Sequence, residues 1–189
     1  QLNDSGAETI IVLSKLYPLV KDVAPSTGLK RIIVTNIKEY FPPLLRLLFT
    51  LFKEKQQGHK PTVERGQGTE WFSGLLGSAP AKPTAIMVSP DDPALLQYTG
   101  GTTGLAKAAV LTHRNLVANT IQTGAWMVAP ALDSAEGKNG KAEVFLGAIP
   151  FFHVYGMTVV MNLCISQGHT MVLLPQFKVQ EVLETIVKY

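Results

Sequence analysis

Tyr98-Thr99-Gly100-Gly101-Thr102-Thr103-Gly104-Leu105-Ala106-Lys107 interrupts a chain that otherwise alternates short apolar runs with helical patterns. Its composition suits phosphate. Gly100, Gly101 and Gly104 can take positive φ and bring the backbone close to a ligand, so that successive N–H groups converge on one anion. Thr99, Thr102 and Thr103 add hydroxyl donors, and Lys107 adds a point charge on a long side chain. Spacing excludes the two commonest phosphate loops. A Walker loop needs Gly-x-x-x-x-Gly-Lys-Ser/Thr, whereas Lys107 stands between Ala106 and Ala108. The dinucleotide fingerprint Gly-x-Gly-x-x-Gly fails on the intervals between the three glycines. Such a loop can also be a plain tight connection between strands. The density of hydroxyls, glycines and a lysine in one short window favours nucleotide handling.

Outward from this run, the pattern is that of an α/β fold, a largely parallel sheet with flanking helices. Thr9 to Leu13 and Arg31 to Thr35 read as buried strands, followed by helices near Leu16 to Val23 and Ile37 to Lys55. The polar, glycine-containing stretch Gln56 to Gly68 reads as an internal linker before a short helix, Thr69 to Gly77. Pro80, Pro83, Pro90 and Pro93 punctuate the approach to a strand at Ala94 to Tyr98. Beyond the glycine run, Ala108 to Leu111 reads as a short returning strand and Thr112 as the N-cap of a helix to about Met127. Asp133 to Lys141 reads as an exposed turn. A strand at Glu143 to Ile149, a helix at Tyr155 to Gln167, a strand at His169 to Leu174 and a helix from Val179 complete two further units. His153 therefore falls just past a strand's C-terminal end, where open α/β sheets hold ligands.

The ten-residue run, followed by Leu111-Thr112-His113-Arg114-Asn115, resembles the phosphate-loop signature of the acyl-adenylate-forming, AMP-binding enzymes. Its flavour is that of the long-chain fatty-acid–CoA ligases, because glycine stands at 100 where many members carry serine. Ala106 and Ala108 replace a frequent proline and a usual glycine, and a methyl at 108 closes backbone conformations open to glycine. A second run, Ile149-Pro150-Phe151-Phe152-His153-Val154-Tyr155-Gly156-Met157-Thr158, resembles another motif of the same family, proline and two largely apolar residues before a histidine. The resemblance covers nearly the whole chain. It implies that residues 1–189 form part of the large N-terminal domain of an acyl-CoA synthetase-like fold, cut at both ends.

That resemblance also implies a chemistry. A fatty-acid carboxylate is joined to the α-phosphate of ATP with release of pyrophosphate, and the CoA thiolate then displaces AMP. Thr99, Gly100, Gly101, Thr102, Thr103, Gly104 and Lys107 would hold the ATP phosphates, with Thr102 touching Mg²⁺. Lys107, Thr102 and His153 would carry catalysis by positioning and charge neutralisation. His153, Val154, Tyr155, Gly156 and Met157 would line the acyl and adenylate side. The family motifs for adenine and ribose, for an acidic metal contact and for a mobile C-terminal lysine have no counterpart before Tyr189. Alone, this length of chain is expected to be inactive and to bind ATP weakly. Ligases for aryl or amino acids, a non-catalytic nucleotide- or acyl-binding module, and a phosphotransferase releasing ADP remain as alternatives.

Composition narrows the rest. The 189 residues are 46% hydrophobic and 16% charged, which describes a globular chain and not a disordered one. A net charge of +3 without lysine or arginine clusters gives no nucleic-acid surface. Cys164 is the only cysteine, so an intrachain disulfide or cysteine-based zinc site is impossible, which fits a reducing, cytoplasmic setting. No signal peptide is visible, and no apolar stretch reaches the roughly 18 residues needed to span a bilayer. Leu44 to Lys53 has an apolar surface wider than one helix face needs, and two readings compete: a helix packed on protein, or peripheral membrane contact with Arg46, Lys53 and Lys55 at the headgroups. The oligomeric state is not encoded in any pattern.

Overall fold

β-Branched residues crowd two short runs, Thr9–Leu13 (β1) and Arg31–Thr35 (β2), and a computed structural model pairs them in parallel from Thr9↔Arg31 to Leu13↔Thr35. The structure describes residues 1–63, 66, 68–99, 107–132 and 143–189, with the side chains of 128–132 excepted. It divides into two units, Gln1–Ile86 and Met87–Tyr189. In the first, a helical turn, Leu2–Ser5 (α1), precedes β1, and a 3₁₀ turn at Ser14–Leu16 leads into Tyr17–Val23 (α2). Val12, Tyr17, Val20 and Val34 form the core, with Ile10, Leu29, Ile32, Val63 and Trp71 packed against it. Alternation along β1 buries Val12 and turns its neighbours Ile11 and Leu13 outward.

Two sequence expectations need correction here. The helix expected at Ile37 to Lys55 is broken into a 3₁₀ turn, Ile37–Tyr40, and a helix, Pro43–Phe52 (α3). Phe41 and Pro42 between them are extended, with ψ of 147° and 151°. Each precedes a proline, whose ring excludes the helical region for the residue before it. Thr69 to Gly77 was expected to be helical throughout; instead Thr69–Trp71 (β3) pairs in parallel with β2, and only Phe72–Ser78 (α4) is helical. Gly68 makes the entry possible. Its φ is +82°, and a Cβ there would stand 2.1 Å from the carbonyl oxygen of Lys30.

The stretch Gln56 to Gly68 lies within the first unit, where part of it is fastened down by buried polar groups. Asn36 Nδ2 donates to Glu54 Oε1 at 3.1 Å and to the His59 carbonyl at 2.9 Å. Lys38 Nζ lies 2.6 Å from the same Glu54 oxygen, and Ser14 Oγ lies 3.3 Å from His59 Nδ1. The ring of His59 meets Phe49 of α3 edge-on at 5.8 Å.

In the second unit, Pro93–Thr99 (β4) and Lys107–Thr112 (β5) form an antiparallel pair, followed by His113–Leu132 (α5). Val144–Gly147 (β6) and Thr170–Leu173 (β7) pair in parallel, somewhat shorter than the expected Glu143 to Ile149 and His169 to Leu174. Between them the expected helix is present but starts as a π-helix, Gly156–Asn162, before Leu163–Gln167 (α6). Val179–Lys188 (α7) ends the chain as expected. Met157, Val160, Leu163 and Cys164 are buried, Cys164 as a packing residue whose thiol is pushed up by burial. The expected exposed turn at Asp133 to Lys141 lies outside the described residues. Two of the three sheets are parallel and the third is the β4–β5 pair, so the α/β expectation holds.

Candidate functional site

Thr99 and Lys107, the residues that bound the glycine run, are the last cross-strand pair of β4 and β5. Seven residues at that end, Gly100, Gly101, Thr102, Thr103, Gly104, Leu105 and Ala106, lie outside the described residues. The Thr99 hydroxyl donates to the Lys107 carbonyl at 3.3 Å, which locks the pair. Lys107 is exposed and has no ion pair among the described residues. Its charge is thus available at the mouth of the strand pair. Ala108 lies opposite Tyr98 in the ladder. It therefore uses extended backbone that any residue adopts, and its methyl group requires no glycine-like conformation.

Behind Lys107, the sequence folds into a helix start with its own hydrogen bonds. Asn115 N–H donates to Thr112 Oγ1 at 3.2 Å, and Thr112 N–H donates back to Asn115 Oδ1 at 2.9 Å. This reciprocal capping satisfies two otherwise orphaned donors and contributes about 1 kcal/mol. Arg114 forks onto Asp91 at 2.8 and 3.0 Å and holds that carboxyl below the usual carboxylate range. Both groups are exposed, so the pair orients the β5–α5 corner more than it stabilises it.

The second motif forms a tight turn past the end of β6. His153 N–H donates to the Pro150 carbonyl at 3.0 Å, and Met157 N–H donates to the His153 carbonyl at 2.9 Å. Tyr155 N–H donates to His153 Nδ1 at 3.2 Å. That bond makes Nδ1 the acceptor, so in the neutral ring the proton sits on Nε2. His153 is exposed. Gly156 is essential to the closeness of the turn, because a Cβ there would stand 2.5 Å from the Pro150 carbonyl oxygen. Val154 and Tyr155 are exposed beside His153, whereas Gly156 and Met157 are buried on the underside. A cleft of about 410 Å³ opens where β6 and β7 end, lined by Ile149, Pro150, Phe151 and Phe177 among others. The carboxyl ends of parallel strands are the expected place for a ligand in an open α/β sheet.

One residue that the motifs did not single out joins the two. Gln97 Nε2 donates to the Tyr98 carbonyl at 3.2 Å and to the Phe152 carbonyl at 3.4 Å. The amide thus ties β4, three residues before Gly100, to the residue preceding His153. Its sequence signal was slight, a lone amide on an otherwise apolar strand. Among the described residues there is no cluster of three or more histidine, cysteine, aspartate or glutamate side chains that could hold a metal ion.

A family model described as AMP-binding enzyme matches residues 1–189. The chain belongs to the AMP-binding enzyme family. Among the relatives of this AMP-binding chain, a long-chain-fatty-acid–CoA ligase of Bacillus subtilis is 38% identical over 190 residues, covering all of this chain and 32% of the relative. A probable 4-coumarate–CoA ligase of Dictyostelium discoideum is 39% identical over 119 residues, covering 62% of this chain and 20% of the relative. A solved long-chain-fatty-acid–CoA ligase from Archaeoglobus fulgidus superimposes with a TM-score of 0.65 at 27% identity, covering 100% of this chain and 29% of that one. This chain therefore spans about a third or less of the length of these AMP-binding proteins. The expected architecture, part of an acyl-CoA synthetase-like fold, stands.

Proposed function

We propose that this chain supplies the phosphate-binding corner of an ATP-dependent, AMP-forming acid–CoA ligase, and that fatty acids are the acids activated. The observation that carries the reading is the Gln97 tie, which sets the strand leading into the glycine run against the turn that holds His153. Two motifs far apart in sequence thereby serve one place. The 38% identity to a long-chain-fatty-acid–CoA ligase over the full chain supports the acyl class.

The residues fit the phosphates of ATP. Exposed Lys107 offsets phosphate charge at the mouth of the strand pair, and the N–H groups and hydroxyls from Thr99 to Gly104 would orient the oxygens. The substrate carboxylate is itself the nucleophile, so positioning and charge neutralisation are the protein's task. His153 would present Nε2–H toward the adenylate side, with Val154 and Tyr155 beside it. For Mg²⁺ the described residues offer no acidic cluster. Phosphate oxygens and water are its usual ligands in such sites, with Thr102 as a neighbour. CoA would enter as the second substrate. A reducing, cytoplasmic setting suits the single buried thiol of Cys164.

The test is ATP–pyrophosphate exchange by the full-length protein across fatty acids of several lengths, aryl acids and amino acids, with the adenine product identified. Exchange with fatty acids and release of AMP are expected. ADP as the product would replace ligation with phosphotransfer. A second reading, activation of aryl acids, is favoured by the 39% identity to a probable 4-coumarate–CoA ligase, and preferential exchange with aryl acids would select it.

A further inference from the structure

Three of the four polar atoms of His153 are engaged by the turn that carries it. Its N–H donates to the Pro150 carbonyl at 3.0 Å, its carbonyl accepts from Met157 N–H at 2.9 Å, and its Nδ1 accepts from Tyr155 N–H at 3.2 Å. These bonds come from within the turn. The carbonyl of Phe152 belongs to the same planar peptide unit as the His153 N–H. It accepts from Gln97 Nε2 at 3.4 Å, a side chain of β4 that lies 55 positions earlier in the sequence. One rigid peptide plane is thus held at both poles, by its own turn at the N–H and by another strand at the carbonyl. Rotating that plane breaks both bonds and carries His153 with it.

The chemistry of the amide fixes its orientation. Nε2 faces two carbonyl oxygens, Tyr98 at 3.2 Å and Phe152 at 3.4 Å, and only the NH₂ end of a glutamine can serve them, with one proton each. Gln97 stands opposite Ala109 in the β4–β5 ladder, so the strand pairing fixes the point from which the amide reaches. We propose that Gln97 is a positioning residue: it acts through the Phe152–His153 peptide unit to hold His153 Nε2 in register with the end of β4 that leads into the glycine run. Its consequence for activity rests on the ligase reading, and its consequence for structure rests on the hydrogen bonds alone. The bond to Phe152 is long and solvent-exposed, so it contributes little to folding. Its effect falls on geometry. A displacement of about 1 Å in a positioned group can cost on the order of 100-fold in rate.

In the full-length protein, Gln97→Met keeps the length of the side chain and removes both donors. ATP–pyrophosphate exchange should fall about tenfold, with an unchanged melting temperature and with KM for ATP and acid within about twofold, because the loss is one of transition-state geometry. Gln97→Lys retains an N–H donor of sufficient reach and should recover most of the rate. Gln97→Glu sets a carboxylate against the Phe152 carbonyl and should be the slowest of the three. A double-variant cycle with His153→Ala separates positioning from plain structure: because Gln97 acts through His153, Gln97→Met should cost little once His153 is gone. Amide hydrogen exchange without substrates reads the turn directly. The N–H groups of Tyr155 and Met157 should exchange severalfold faster in Gln97→Met than in wild type. Normal pyrophosphate exchange by Gln97→Met, or losses that multiply in the double variant, would overturn the proposal and leave the ligase reading intact. So would unchanged amide exchange in the turn. A wild type that exchanges pyrophosphate with no acid would remove the ligase reading instead, and amide exchange would still decide whether Gln97 holds the turn.

Discussion

His59 and His153 are the same side chain in opposite surroundings. His59 is buried, with Ser14 Oγ at one ring nitrogen, Phe49 against the ring and Asn36 on its carbonyl. His153 is exposed, its Nδ1 accepting one backbone N–H from the turn that presents it. The first unit ties its buried polar groups to one another. Asn36 and Glu54 are bonded to each other, and among the described residues no buried side-chain nitrogen or oxygen lacks a partner. The second unit holds Lys107 and His153 at its surface with bonding capacity to spare. What separates a structural polar residue from a candidate for chemistry is therefore this spare capacity, not the residue type.

Swapping the two histidines out one at a time tests the contrast hardest. In the full-length protein, His153→Ala should reduce ATP–pyrophosphate exchange by on the order of 10- to 100-fold at an unchanged melting temperature, the scale of a lost positioning or acid–base group. His59→Ala should do the reverse, lowering the melting temperature while exchange by the folded fraction persists. Loss of exchange from both alike would erase the distinction.

Asn36→Ala is the next largest effect. It removes the amide that serves both Glu54 and the His59 carbonyl, and leaving buried acceptors unpaired costs about 1–3 kcal/mol. Urea unfolding measures it. An unchanged midpoint would mean that water or Lys38 replaces the amide without cost.

A smaller effect is written in pH. Burial lowers the pKa of His59, Lys15 lowers it further, and Glu54 acts in the opposite direction. A base with a depressed folded pKa binds its proton more readily when unfolded, so stability is fully present above the unfolded value of about 6.5 and is lost as pH falls below it. Denaturation at a series of pH values should show this fall, and His59→Gln should flatten it. An equal slope in wild type and variant would assign the dependence elsewhere. The least effect is expected from Arg114→Gln, whose partner Asp91 is exposed: no measurable change in melting temperature, checked by calorimetry.

The fold was largely legible because its signals were local. β1, β2 and β4 showed as β-branched or apolar runs, and Thr112 announced the α5 start by its capping chemistry. The misreadings have local causes too. Apolar periodicity through Ile37 to Lys55 outweighed Pro42 and Pro43, although the residues before both prolines had to be extended. β3 looked helical because its pairing with β2 depends on a partner more than thirty residues away and on the positive φ of Gly68. For the site, the glycine run and His153 were visible as motifs. Gln97 was not, because a hydrogen bond to the carbonyl of Phe152 leaves no pattern in sequence. The buried network of Ser14, Asn36, Glu54 and His59 was missed for the same reason: its members come from four separate segments.

Under the proposed function, Lys107 is the charge that would make the β4–β5 mouth a phosphate site. ATP–pyrophosphate exchange by full-length Lys107→Ala, compared with wild type at matched melting temperature, tests it most directly. The expected result is a loss of about 100-fold or more, the scale seen when one stabilising group is removed from a charge-developing site. Near-normal exchange by a folded Lys107→Ala protein would contradict it.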